Sequence, residues 1–176
     1  YLRQALVVKQ RWMDDETFLS GLELSQTLPG LNATNMSIYM GERLRGVPGA
    51  LVALAGMCLP GTVIVMALGM LYANFCEALF HRHVLHGLGK RPGSFWAFHW
   101  HEHHREARRN GFRDEHYRTR PLLGWHPQTK ERLAIALGVA VHLPLAPIAP
   151  FFVGTLAYCG FTYFRAHKRA HLDPAW

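Results

Sequence analysis

Cysteine is scarce in this chain, with three residues in 176, and Cys58, Cys76 and Cys159 lie far apart, two of them inside apolar runs. That excludes a disulfide framework and a zinc knuckle. Acidic residues are outnumbered, 12 against 19 Lys and Arg, giving a net charge of +7. A polar Gly/Ser/Pro-rich linker is missing between residues 73 and 74, where the apolar run LGMLYA passes straight into NFCEALF. Two domains joined naturally would keep such a linker between their cores. An accidental fusion, or a joined pair of fragments, is the expectation there. The first residue is Tyr1, with no signal peptide before it, which also leads us to expect a fragment.

Charge is absent altogether from two long stretches. Gly49 to Ala73 is 25 residues without a charge, enough for a transmembrane helix with some tilt. Leu133 to Phe164 is a second uncharged run, of 32 residues. A single helix of that length would rise roughly 48 Å against a hydrocarbon core of roughly 30 Å, and Pro144, Pro147 and Pro150 stand at its middle. It is expected to form a hairpin of two short membrane helices. Two buried core helices of a soluble protein are the weaker alternative, because charge-free runs this long are uncommon in soluble domains. The expected fold is therefore all-α: an integral membrane helical protein with histidine-bearing helices at one membrane edge.

What the chain does have lies between these runs. Residues 81–132 hold 11 Lys/Arg against 5 Asp/Glu, so +6 of the net +7 falls in this block. The positive-inside bias places it in the cytoplasm. A solvated face or contact with anionic lipid fits it better than nucleic acid, which is not expected as a partner.

The block is also rich in histidine, of which the chain has 12. FHRHVLHG carries His81 and His86, FHWHEHHREARRNGFRDEHY carries His99, His103 and His104, and RAHKRAHLDPAW carries His167 and His171. On a helix, His99 with His103 and His167 with His171 are i, i+4 pairs that share a face and can chelate one ion. His81 and His86 are five apart and need a helix end or a bulge to converge. Glu77, one turn before His81, can order that imidazole or bind metal itself. His142, in an apolar run, reads as a packed residue, and His126, beside Pro127, as a loop residue. His83, His101 and His116 are intermediate. Three clusters of neutral imidazoles at one membrane depth are what borderline divalent metals select. They meet on one side only if residues 133–164 form the hairpin, so topology and metal binding point the same way.

At these residues HRHVLH, HWHEHHREARRNGFRDEHY and HKRAHLDPAW resemble the fatty acid hydroxylase and sterol desaturase superfamily, over residues 74–176. The resemblance implies two metal ions, taken to be iron with zinc as the alternative, held by His81, His86, His99, His103, His104, His167 and His171. It implies O2-dependent hydroxylation or desaturation of a lipid, with no catalytic residue beyond the metal ligands. Electrons would come from an external electron-transfer protein, since no flavin, nicotinamide or haem motif is present. The family continues past the HLDPAW element into a further histidine box, so the ligand set is expected to be incomplete.

Residues 1–73 have no metal-ligand spacing. They read as a helix from about Asp14 to Leu28, a Pro29-Gly30 break, a polar segment and a second helix. Such a broken helix can turn its N-terminus and backbone dipoles toward an anion; an amphipathic interfacial helix followed by a turn is an equal alternative. LPGLNATN, IYMGERLRG and GALVALAGMCLPG resemble the chromate transporter family, with Leu31 where that family usually has a second proline. The resemblance implies Pro29, Gly30, Asn32, Asn35 and Arg43 as pathway-lining residues. Three functional classes follow: a metal-dependent lipid oxidoreductase, an anion transporter, and a non-functional fusion of the two.

Overall fold

The structure is a computed structural model that describes residues 1–118 and 124–173. The chain divides into two compact units, Tyr1–Ile64 and Val65–Trp176, and all regular structure among the described residues is helical.

The first unit opens with a π-helical stretch, Gln4–Lys9, followed by α1, Asp15–Thr27. Asp14 starts α1 as its N-cap, its carboxylate accepting from the Thr17 N–H at 2.8 Å. This is the bond that an N-cap Asp supplies to an otherwise unpaired helix donor. Leu28 ends α1 in an extended conformation, Gly30 takes φ +117°, and α2 begins at Asn32. The expected Pro29-Gly30 break is thus a turn between α1 and α2. It folds α1 back so that Phe18 packs with Met36 and Met40, flanked by Leu6, Val7, Met13 and Tyr39. Gly21 is needed at this crossing, because a Cβ there would overlap the Tyr39 ring.

The α2 helix (Asn32–Leu79) is interrupted once. Arg45 and Gly46 leave helical dihedrals, Gly46 at φ 64° and ψ −153°, and Pro48 follows. The interruption brings Gly41 against Gly49, where a Cβ on either residue would strike the carbonyl of the other. Gly46 occupies a backbone region that is essentially confined to glycine. Gly46→Ala should therefore destabilise the first unit by about 1–3 kcal/mol, seen as a lowered midpoint of unfolding in detergent. An unchanged midpoint would show that the bend relaxes without cost.

In the second unit α2 runs on into a π-helical turn, Phe80–Leu85. Short turns then lead to a second π-helical turn, His99–His103, which continues as α3, His104–Arg109. The last two helices are α4, Pro127–Ala140, and α5, Pro150–Leu172. Each starts on a proline, which lacks the donor that a first-turn residue would leave unpaired. Pro144 and Pro147 lie in the connection between them. The 133–164 run is therefore two helices, as its prolines led us to expect, and they pack at Gly160, where a Cβ would lie 2.6 Å from Ile135. At 14 residues, α4 rises only about 21 Å, short of a hydrocarbon core of about 30 Å. Among the described residues, one helical stretch, Asn32–Lys90, is long and apolar enough to cross a membrane, and none of its most apolar window is buried.

Candidate metal centre

The second unit gathers the seven histidines singled out in the sequence into two adjacent groups. His81, His86, His99 and His104 form one, and His103, His167 and His171 the other; within each group the ligand nitrogens lie within 4.8 Å of one another.

The π-helical turns explain why the spacings work. In a π turn the backbone bond runs from residue i+5 to i, here from the His86 N–H to the His81 carbonyl at 2.9 Å. Residues five apart then share a face, and the His81 and His86 rings come to 4.6 Å between centroids. The second turn does the same for His99 and His104, also at 4.6 Å. It sends the consecutive residues His103 and His104 to different groups. On α5 the ordinary i, i+4 spacing sets His167 and His171 at 4.7 Å, and His171 lies 4.6 Å from His103.

The donor set fits divalent metal ions. Nδ1 of His81 and Nε2 of His99 are buried with no hydrogen-bond partner, a costly arrangement unless another species takes the lone pair. His86 and His104 point their Nε2 atoms at each other across 2.9 Å. Burial, with neighbouring imidazoles second, lowers His99 to about 2, His167 to about 3 and His104 to about 4. These rings are neutral near pH 7, which is the form that ligates metal.

Three residues that sequence reasoning missed complete the surroundings. Asp114, fully buried, accepts from Nδ1 of His103 at 2.7 Å and from Nδ1 and the backbone N–H of His116 at 2.7 and 3.0 Å. Burial alone would raise its carboxyl, but these hydrogen bonds outweigh it and hold Asp114 below the usual carboxylate range. They also fix His103 with Nε2 toward the cluster, the usual way a carboxylate orients a metal-binding imidazole. His171 is oriented similarly, its Nδ1 donating to the Phe112 carbonyl at 2.7 Å. Tyr117 is buried, stacks on His171 and donates its hydroxyl to Oε2 of Glu131 at 2.6 Å. Burial pushes the Glu131 carboxyl up to about 7. Asp114 lay inside a quoted motif, but nothing local distinguished it from its exposed neighbour Glu115.

Of the remaining histidines, His101 turns its Nε2 to the Lys90 carbonyl at 3.1 Å, and His83 is exposed. His142 bonds the Gly138 carbonyl through Nδ1 at 2.7 Å and Tyr72 through Nε2 at 3.0 Å. Glu77 lies 3.6 Å from Nδ1 of His81. Residues 174–176, the end of HLDPAW, are outside the described residues. A cavity of about 470 Å³ opens onto the histidine groups, with His81, His99, His103 and Glu131 in its wall and side chains such as Phe80, Ile135 and Leu156 making most of it apolar.

In the first unit, Pro29, Asn32 and Arg43 are exposed. Asn35 donates to the Ser25 and Leu28 carbonyls, each at 3.4 Å, so it ties down the end of α1. Gly30 lies beside Asn35, and a Cβ there would sit 3.8 Å from its Oδ1. The Arg43 guanidinium stands 5.2 Å over the Tyr39 ring.

Among the described residues, the helices and clusters define an all-α protein with one helix able to span a membrane and a histidine-rich unit able to hold metal. Its sequence matches the chromate transporter family over residues 1–93, more than half its length, and the chain belongs to that family. Membership implies a membrane protein. A chromate transport protein of Cupriavidus metallidurans is 32% identical over 89 residues, 51% of this chain and 22% of that protein. A probable chromate transport protein of Synechococcus elongatus is 36% identical over 90 residues, 51% of this chain and 23% of that protein. An uncharacterized transporter of Methanocaldococcus jannaschii is 35% identical over 74 residues, 42% of this chain and 18% of that protein. The chain thus spans about a fifth of the length of these curated relatives. No solved structure matches it. The matched region runs past Ala73 and takes in His81 and His86. The comparisons give no support to the hydroxylase resemblance of residues 74–176.

Proposed function

We propose that the chain contributes the first helices of an oxyanion transporter of the chromate type. The observation that carries this reading is the family match over residues 1–93. Gly30 and Asn32 at the break between α1 and α2 would present backbone and amide dipoles to the anion, with Asn35 holding the break in shape and Arg43 supplying positive charge. The test is chromate binding to the detergent-purified chain, followed by equilibrium dialysis. Binding should survive removal of residues 94–176 and fall at least several-fold in Arg43→Ala; binding unchanged by loss of residues 1–73 would refute the reading.

A second reading is favoured by the paired histidine clusters and the apolar cavity beside them. In it the second unit is a two-metal oxidoreductase acting on a lipid, with an external protein supplying electrons. Two bound irons would supply the oxidising power of O2 toward an unactivated C–H bond. The protein's part is positioning: the cavity wall would hold an acyl or ring carbon against the clusters and exclude water. Asp114 and the Phe112 carbonyl would keep His103 and His171 turned inward. Product formed from a fatty acid or sterol with a supplied reductant tests this reading, and metal-loaded chain that leaves both unchanged would contradict it.

Both readings place the histidine unit on the cytoplasmic side, because residues 81–132 carry +6 of the net charge. With the three native cysteines replaced by serine, Arg109→Cys should react with an impermeant thiol reagent only after cells are permeabilised. Labelling of intact cells would reverse the orientation.

A further inference from the structure

The two histidine groups are unequal. One offers four imidazoles and the other three, although a four-coordinate ion held by protein alone needs a fourth donor. Asp114 cannot be that donor, because each of its oxygens already accepts from an imidazole, one from His103 and one from His116. Glu77 sits on the side of the four-imidazole group, 3.6 Å from His81.

Glu131 is placed differently. It stands in the first turns of α4, its side chain 13% exposed, with Oε1 3.7 Å from Nε2 of His167. Tyr117 holds the other oxygen at 2.6 Å, so the carboxylate is fixed with Oε1 toward His167. The gap to His167 is beyond hydrogen-bond length. It matches two donors sharing one ion: at metal–ligand distances of about 2.0–2.2 Å, tetrahedral donors are separated by about 3.4 Å. In His103 and His171, Nδ1 is taken by Asp114 and by the Phe112 carbonyl, leaving Nε2 of each for the same ion.

We infer that Glu131 is the fourth ligand of the second ion, which makes the centre an asymmetric pair: one divalent cation held by four histidines, the other by His103, His167, His171 and the Glu131 carboxylate. This rests on the metal-centre reading but not on any activity. Tyr117 is then a positioning residue, acting on the metal only through the carboxylate it holds.

The experiment is titration of the detergent-purified 176-residue chain with Co(II), following the visible absorption of the bound ion and the metal content after gel filtration. Wild-type chain should bind two ions in two distinguishable environments. Glu131→Gln keeps the shape and still accepts from Tyr117, yet it should bind one of the two ions at least 100-fold more weakly while the other keeps its spectrum. That retained ion reports that the variant is folded. Tyr117→Phe should keep both ions, with a smaller loss confined to the second. Two ions bound by Glu131→Gln with wild-type affinity and spectrum would overturn the assignment of Glu131 alone. Wild-type chain that binds no Co(II) would instead overturn the metal-centre reading and this inference with it.

Discussion

Asp114→Ala is expected to weaken binding of the ion held by His103, His167 and His171 by about 10–100-fold, the usual effect of removing a partner that orients a metal-binding histidine. Asp114 touches no proposed ion. It acts through the 2.7 Å bond to Nδ1 of His103, which keeps that ring's Nε2 turned into the cluster, and it does so at a fully buried position. Alanine leaves the Nδ1 donor of His103 without its acceptor and costs the fold as well, by about 1–3 kcal/mol for a buried unpaired group. Asp114→Asn retains one carbonyl acceptor and should fall between wild type and alanine. The measurement is competition for the second ion with a calibrated chelator. Equal affinities in wild type and Asp114→Ala would show that His103 is held by packing alone.

The second large effect is acid sensitivity of the metal-free chain. His99, His167 and His104 are held at about 2, 3 and 4, below the ordinary imidazole value of about 6.5. The folded state therefore binds fewer protons than the unfolded state between those values. Stability is complete above about pH 6.5 and falls as pH drops through the unfolded value toward the folded ones. Each such imidazole contributes about 1.4 kcal/mol per pH unit in that window. His104 is partly exposed and counts for less, so His99 and His167 together give about 2–3 kcal/mol per unit. Denaturant midpoints at pH 7, 6 and 5 should be level at first and then drop steeply. Bound metal, which needs the neutral ring, should move the drop to lower pH. A flat profile from pH 7 to pH 5 would mean that these rings are solvated in the folded chain.

Much of the site was legible in the sequence because histidine is rare enough for clustering to carry information. The pair His167 with His171 needed only helical periodicity; the expected pair His99 with His103 does not share a group, because the π-helical turn sets His99 with His104 and turns His103 to the other group. The spacing of His81 and His86 called for a helix end or a bulge without saying which, and the π-helical turn at Phe80–Leu85 is what brings them together. The prolines between α4 and α5 likewise signalled the hairpin that brings α5 back to the same edge. Asp114, Tyr117 and Glu131 were not legible, since their roles come from burial and from partners 11 to 14 residues away in sequence. The bend at Arg45 and Gly46 was missed although Gly46, Pro48 and Gly49 stand close together, a recognisable breaker signal; the need for Gly41 and Gly49 appears only once the two arms meet.

The family match shifts the balance between the two ends of the chain. The transporter resemblance rested on LPGLNATN and the helix after it, and the match confirms that family over residues 1–93. The hydroxylase resemblance rested on the histidine motifs. Those residues do assemble into groups that could hold metal ions, yet the comparisons lend that family no support. Metal binding is therefore the part of the second reading that stands on the chain's own geometry.

The most direct test is the number of ions bound per chain in the purified protein and in two variants, His99→Ala and His171→Ala. Wild type should hold two ions and each variant one, with the two variants retaining different ions by their spectra. Wild-type chain that holds no ion, or variants that both hold two, would contradict a two-ion centre.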